Sequence, residues 1–364
     1  MTDFQRIAEI YATFPYEMRN FSSEKKSPLR SPIDSMRTRY WYEGLKQRTH
    51  LSTAYALEKY FEKESFQRNS NGTIRHYRSK WEGYDNDLNT PKSKTLKRVE
   101  LLAPGSTREV EHPLWEIMRH VAKKGIELDS YMRKLSVDVQ EAVYSSGFSG
   151  LCAYSKREPI TQRMLDKLEK RASLDSVACL ICLILEAIQQ NRDSSAVKAV
   201  NTLHNVLLMV GIELQSRHIA LPFLDWVIEH ILPLGVLPHL KVSMASSDYV
   251  QASAYLNAMV YQNKSRRGKS LEWPQRVKIM HRLIHGKMGM DVEFAMRPRF
   301  ELRPDIKDIS PEIIEDFESA SRFRSWGWKC ILEGRSEPFP PAQLFLSQHA
   351  CTKRDDSGGN LKPS

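Results

Sequence analysis

A chain of 364 residues with 41% hydrophobic and 27% charged residues carries enough apolar material for two compact domains, which argues against general disorder. Its 54 Lys and Arg against 44 Asp and Glu leave a formal charge of +10, a balance that attracts polyanions, nucleic acid ahead of anionic membrane. Five cysteines at irregular positions (152, 179, 182, 330, 351) argue against a secreted disulfide framework. The start, MTDFQRIAEIY, has no basic segment followed by an apolar one, and the longest uninterrupted apolar run, Val177–Leu185, is about half the length of a bilayer span. A cytoplasmic location and no membrane partner are expected.

Residues 2–13 read as a short helix, and Asn20–Pro32, rich in Ser, Lys and Pro, as a linker. From Ser35 the pattern turns helical: Trp41, Leu45, Leu51, Tyr55, Leu57 and Phe61 predict two short helices broken near His50, with Ser52 as a cap. After the polar turn Gln67–Gly72, the residues Ile74, Tyr77 and Trp81 fall at i, i+3 and i+7, one face of a short helix. Asp85–Thr90 reads as a loop ended by Pro91, and Ser93–Leu102 as a further helix. His112–Gly147 is expected to hold two amphipathic helices and Thr161–Ala172 a strongly charged one.

Leu174–Gln190 and Ala196–Leu208 have the apolar density of central buried helices, in which Cys179 and Cys182 are core thiols rather than half of a zinc or redox site. Prolines 222, 233 and 238 divide the next stretch, and Ser247–Gln262 and Pro274–Lys287 are again helical. The tail from Gly334 is predicted to be disordered. The fold class is mainly α. The expected segments are 1–34 (helix and linker), 35–110, 111–333 (a larger helical domain) and 334–364 (tail).

Between Arg68 and Arg98 stand eight Lys/Arg against three acids. On the helix predicted at Thr73–Lys80, Arg75, Arg78 and Ser79 lie away from the apolar face and Lys80 flanks it, a pattern suited to the DNA major groove: Arg for guanine, Lys and Ser for phosphate. The run SKWEGYDNDLNTPKSKTLKRVE resembles the third and fourth helices of Cro/phage-repressor-type helix-turn-helix proteins, with Trp81, Pro91 and Leu96 in the places of that family's aromatic, proline and leucine. The resemblance extends over about residues 51–102, with LSTAYALEKYF as the preceding scaffold pair. It implies a helix-turn-helix-like module that meets DNA through Arg75, His76, Arg78, Ser79 and Lys80, with Lys92 and Lys94 at the backbone.

A second basic stretch, Lys264–Arg303, holds eleven Lys/Arg and four acids, and its head KSRRGKSLEWP offers Arg266, Arg267 and Lys269 to a phosphate backbone. The GKS within it is not a phosphate-cradling loop, because Asn263 stands where that loop needs glycine. His281 and His285 lack a third ligand in sequence, so no metal or cofactor is expected. Arg276 and His281 resemble the active pair of HEPN-type metal-independent ribonucleases, which implies a catalytic alternative with His281 moving a proton and Arg276 holding phosphate charge. The leading expectation is a nucleic-acid-binding regulatory or accessory protein, with duplex DNA as partner. The alternatives are that ribonuclease, or a helical scaffold that binds a protein or forms a homodimer through the helical domain.

Overall fold

The computed structural model describes residues 30–66, 69–73, 80–122, 125, 127–149, 152–262, 271–306 and 309–345. These form a mainly α protein of two compact units, one built from residues 30–236 and 245–255 and the other from 237–244 and 256–345. Residues 35–110 therefore share a unit with 111–236.

In the larger unit, α1 (Pro32–Thr49) opens on a proline whose fixed φ suits the first helical position, and stops where His50 turns left-handed at φ 57°. Helix α2 (Ala54–Phe61) begins one residue later than expected: Thr53, not Ser52, accepts the Ala56 N–H. Helices α3 (Lys80–Asp85), α4 (Ser93–Leu102) and α5 (Thr107–Val110) complete the first part. Gly44 of α1 leaves the space into which the Arg217 guanidinium and the Glu109 carboxylate press; a Cβ there would lie 1.9 Å from the Arg217 Nη1. Arg217 also donates to the Tyr40 carbonyl at 3.3 Å, so a single ion pair ties α1 and α5 to the chain just past residue 216.

Helices α6 (Pro113–His120), α7 (Leu128–Met132) and α8 (Val137–Val143) follow. The helical reading of His112–Gly147 fails only past Val143, because β1 (Tyr144–Ser149) and β2 (Cys152–Arg157) form an antiparallel hairpin paired from Tyr144↔Arg157 to Ser149↔Cys152. The Ser- and Gly-rich run SSGFSG has neither helix propensity nor a continuous apolar face to extend α8.

Helix α9 (Gln162–Glu169) leads to the central pair α10 (Leu174–Gln189) and α11 (Asp193–Ser216), and α12 (Ala220–His230) packs beside them. Val177 through Ile184 of α10 are all fully buried. Helix α11 is long and apolar enough to cross a membrane, yet 72% of its apolar window is buried inside the fold, as in a core helix. Burial pushes the Cys179 thiol up to about 12 and raises Cys182 as well, so neither is a thiolate at neutral pH.

Asp175, in the first turn of α10, fastens three segments. It accepts the Ser136 N–H at 3.1 Å and lies 3.3 Å from the His112 Nε2 and 3.5 Å from Arg108. His112 caps α6 by accepting the Leu114 N–H on Nδ1, which leaves the ring proton on Nε2, facing Asp175. Burial pushes the Asp175 carboxyl up, but these partners together hold it below its ordinary value.

In the smaller unit, β3 (Leu240–Val242) pairs antiparallel with β4 (Phe300–Leu302). The helix α13 (Ser246–Gln262) passes from the larger unit into this one, followed by α14 (Trp273–Ile284), α15 (Met290–Met296) and α16 (Pro311–Leu332). Helix α16, which falls within the expected helical domain but was not singled out, carries its own start signal: Ser310 accepts the Ile313 N–H and Pro311 takes the first position. Its second half crosses α15 at Gly327, where a Cβ would fall 2.3 Å from the Asp291 carbonyl oxygen, and Phe323 stacks on Phe294 at 4.7 Å. Past Gly334, Phe345 returns to meet the Phe323 ring at 5.1 Å.

Two outcomes follow. Asp175→Asn is expected to cost about 1–3 kcal/mol at neutral pH. Because the folded carboxyl titrates below its unfolded value of about 4, that contribution is present above pH 4 and lost as the pH falls through the folded pKa. Chemical denaturation of both proteins at neutral pH and in steps of falling pH below 4 checks it: the gap narrows in acid. Alkylation of the native protein leaves Cys179 and Cys182 unlabelled, and labelling appears with unfolding in denaturant, as peptide mass spectrometry reads directly.

Candidate nucleic-acid interface

Helix α3 is short, and its place is set by the ring of Trp81. The indole is fully buried between Phe61 of α2, stacked at 5.3 Å and 5°, and Trp41 of α1, at 6.0 Å and 27°. Tyr84 meets both tryptophans edge-on at 5.6 Å. Leu45, Leu57, Leu96 and Val99 close the cluster from three helices. Gly83 lets the chain turn back at once: its carbonyl accepts the Leu88 and Asn89 N–H groups, and a Cβ would collide with Asn89 at 2.0 Å. The loop expected over Asp85–Thr90 is thus a bonded turn that begins after a helical Asp85.

A polar chain runs beside the rings. The Lys80 ammonium donates to the Glu62 carboxylate and to the Thr95 hydroxyl at 2.6 Å. Thr95 in turn bonds the Tyr84 hydroxyl, which burial pushes up to about 12. Lys80 therefore joins α3 to α4 and to the end of α2, and its charge is neutralised internally. The sequence suggests this lysine as a nucleic-acid contact; the structure gives it two partners within the fold.

Most other cations of this region are similarly engaged. Arg30 donates to the Asp87 carbonyl and to the hydroxyls of Thr38 and Thr90. Arg39 pairs with the Asp87 carboxylate, whose carboxyl burial raises against the pull of Arg39 and Arg30. Lys46 lies 2.9 Å from Glu43 and 3.3 Å from Asp85, Arg48 lies 2.8 Å from Glu109, and Arg98 pairs with Glu64.

Lys92, Lys94 and Lys97 differ: all three are exposed and none forms an ion pair among the described residues. Lys94, Lys97 and Leu101 recur at i, i+3 and i+7 on the side of α4 opposite the buried Thr95, Leu96 and Val99. Leu101, 83% exposed, stands in the middle of that face. Lys92 and Lys94 were expected here from the sequence; Lys97 was not singled out, although its spacing from Lys94 puts it on the same face.

Arg75, His76, Arg78 and Ser79, expected nearest the bases, lie outside the described residues, as do Arg266, Arg267 and Lys269 of the second basic stretch. Before the first gap, Thr73 is in a turn held by Asn69 and Asn71. Beyond the second gap, α14 presents Gln275, Lys278 and Arg282 on its exposed face.

Arg276 and His281, the pair suggested for ribonuclease chemistry, both lie on α14. Five residues on a helix turn through about 140°. Arg276 donates to the buried Asn257 amide oxygen, and its guanidinium lies 4.9 Å from the Trp273 ring centre. The His281 ring packs on His285 at 4.4 Å.

Comparison with protein-family models, with curated proteins and with solved structures finds no match to this chain.

Trp81→Ala is expected to destabilise this region by about 3–5 kcal/mol, whereas Lys94→Ala and Lys97→Ala, which remove no packing, stay within about 0.5 kcal/mol of the parent. Urea unfolding of the three variants reads the contrast. Equal losses would mean that α4 is held through its lysines.

Proposed function

We propose that this protein binds nucleic acid, with duplex DNA as the favoured form, through the exposed face of α4 and the basic residues that precede α3 in sequence, Arg75 and Arg78. The observation that carries the reading is the contrast in pairing. Arg30, Arg39, Lys46, Arg48, Lys80 and Arg98 are spent on internal partners, while Lys92, Lys94 and Lys97 are left in solvent on one short element. Lysine is a compact, strongly hydrated charge suited to phosphate oxygens rather than to base edges. The α4 face also offers no aromatic ring on which an unpaired base would stack, which favours a duplex backbone over a single strand. Base reading, in this proposal, falls to Arg75, His76, Arg78 and Ser79, the residues implied by the helix-turn-helix resemblance. Lys278 and Arg282 supply a second cationic face in the other unit.

The test is a salt series. Lys94→Ala/Lys97→Ala should weaken binding to unrelated duplex sequences alike, and the slope of log affinity against log salt should become shallower by about 2, one counterion for each lysine. A slope equal to that of the parent would remove α4 from the interface. A parent with no affinity even at low salt would end the nucleic-acid reading and leave the scaffold.

A further inference from the structure

The chain carries two amphipathic faces of opposite charge, and both are left open. On α4, Lys94 and Lys97 flank Leu101 (83% exposed), with Leu102 (48% exposed) beside it. On the first three turns of α16, Ile314 is 37% exposed and Phe317 only partly covered at i+3, and the carboxylates of Glu312, Glu315, Asp316 and Glu318 are exposed around them. Among the described residues their one ion pair is a loose one, Glu318 to Arg322 at 3.9 Å. The acidic half of α16 is thus an exception in a chain of net charge +10. The other half of the same helix has a buried side made by Phe323, Gly327, Cys330 and Ile331.

We propose that the acidic half of α16 docks on the α4 face of a second copy of this chain, Ile314 and Phe317 against Leu101 and Leu102, Glu315 and Glu318 against Lys94 and Lys97. The occupant is a second copy because each face has what the other lacks: exposed ammonium groups around exposed leucines on α4, exposed carboxylates around an exposed isoleucine on α16. The apolar residues supply the attraction and the charges set the register and the salt dependence. The inference rests on the nucleic-acid reading only in that the same lysines serve both. It adds a regulation of that site: self-association covers the face that would meet phosphate, and a polyanion competes with α16 for it.

Sedimentation of the full chain over a concentration series, at low and at high salt, tests this. The parent should show a concentration-dependent dimer that weakens with salt. Lys94→Glu/Lys97→Glu and, separately, Glu315→Lys/Glu318→Lys should each raise the dimer dissociation constant about tenfold or more, since attraction becomes repulsion at each contact. Combining all four reversals should restore the parent dimer. A chain that stays monomeric at every concentration, or a fourfold variant no tighter than the doubles, overturns the proposal. Duplex DNA affinity, measured on the same proteins with helical circular dichroism as the folding control, separates the two readings. Glu315→Lys/Glu318→Lys should bind DNA at least as tightly as the parent. A parent that dimerises but ignores DNA strikes the nucleic-acid reading alone, and one that binds DNA only as a lifelong monomer strikes this one alone.

Discussion

The first eighty described residues depend on one stack of rings. Phe61, Trp81 and Trp41 lie in succession, with Tyr84 set edge-on against the tryptophans, and each of these rings is essentially fully buried. A six-residue helix such as α3 has no stability of its own, because nucleation costs more than one turn of hydrogen bonds returns. It exists because burial of Trp81 fixes it between α1 and α2. Once α3 is fixed, Thr95 must meet Lys80 and Tyr84, and α4 is fixed with it. The solvent face of α4, and the direction in which Lys94 and Lys97 point, are thus consequences of ring packing some distance away.

Charge in this protein has two distinct uses. A net charge of +10 suggests a surface in search of anions, yet around α1 nearly every cation meets a carboxylate, a carbonyl or a hydroxyl of the same chain. Arg39 and Arg30 converge on Asp87, a residue held at φ 58° where an L side chain is strained, and their bonds hold it in that turn. Arg217 reaches from the end of α11 into the gap at Gly44 to meet Glu109. Partly buried pairs of this kind specify geometry as much as they add stability. The cations available to a partner are the remainder, among them Lys92, Lys94 and Lys97 at α4 and Lys278 and Arg282 on α14.

How far the sequence revealed this can be judged from particular elements. The central helices were legible because their apolar density is unambiguous: Leu174–Gln190 was expected and Leu174–Gln189 is found, and Pro274–Lys287 corresponds to Trp273–Ile284. Trp81 as a core residue, the helix Ser93–Leu102 and the break at His50 were equally plain. The hairpin at 144–157 was missed because Ser and Gly signal only an interruption, while pairing is a non-local property. At the candidate site, the internal partners of Lys80 were not foreseen for the same reason. Glu62 and Thr95 lie 18 and 15 residues away, and nothing local shows that a lysine beside a tryptophan will be neutralised by them. Lys97 was overlooked although simple helical spacing from Lys94 points to it.

The account stands or falls on which lysines of residues 80–97 are open to a polyanion. Limited acetylation of the native protein, with and without excess duplex DNA and read by peptide mass spectrometry, measures this residue by residue. The account predicts that Lys92, Lys94 and Lys97 label readily in the free protein and are protected by DNA, and that Lys80, held by Glu62 and Thr95, labels poorly in both states. Labelling of Lys92, Lys94 and Lys97 that DNA leaves unchanged, or a Lys80 that labels as fast as they do, would contradict it.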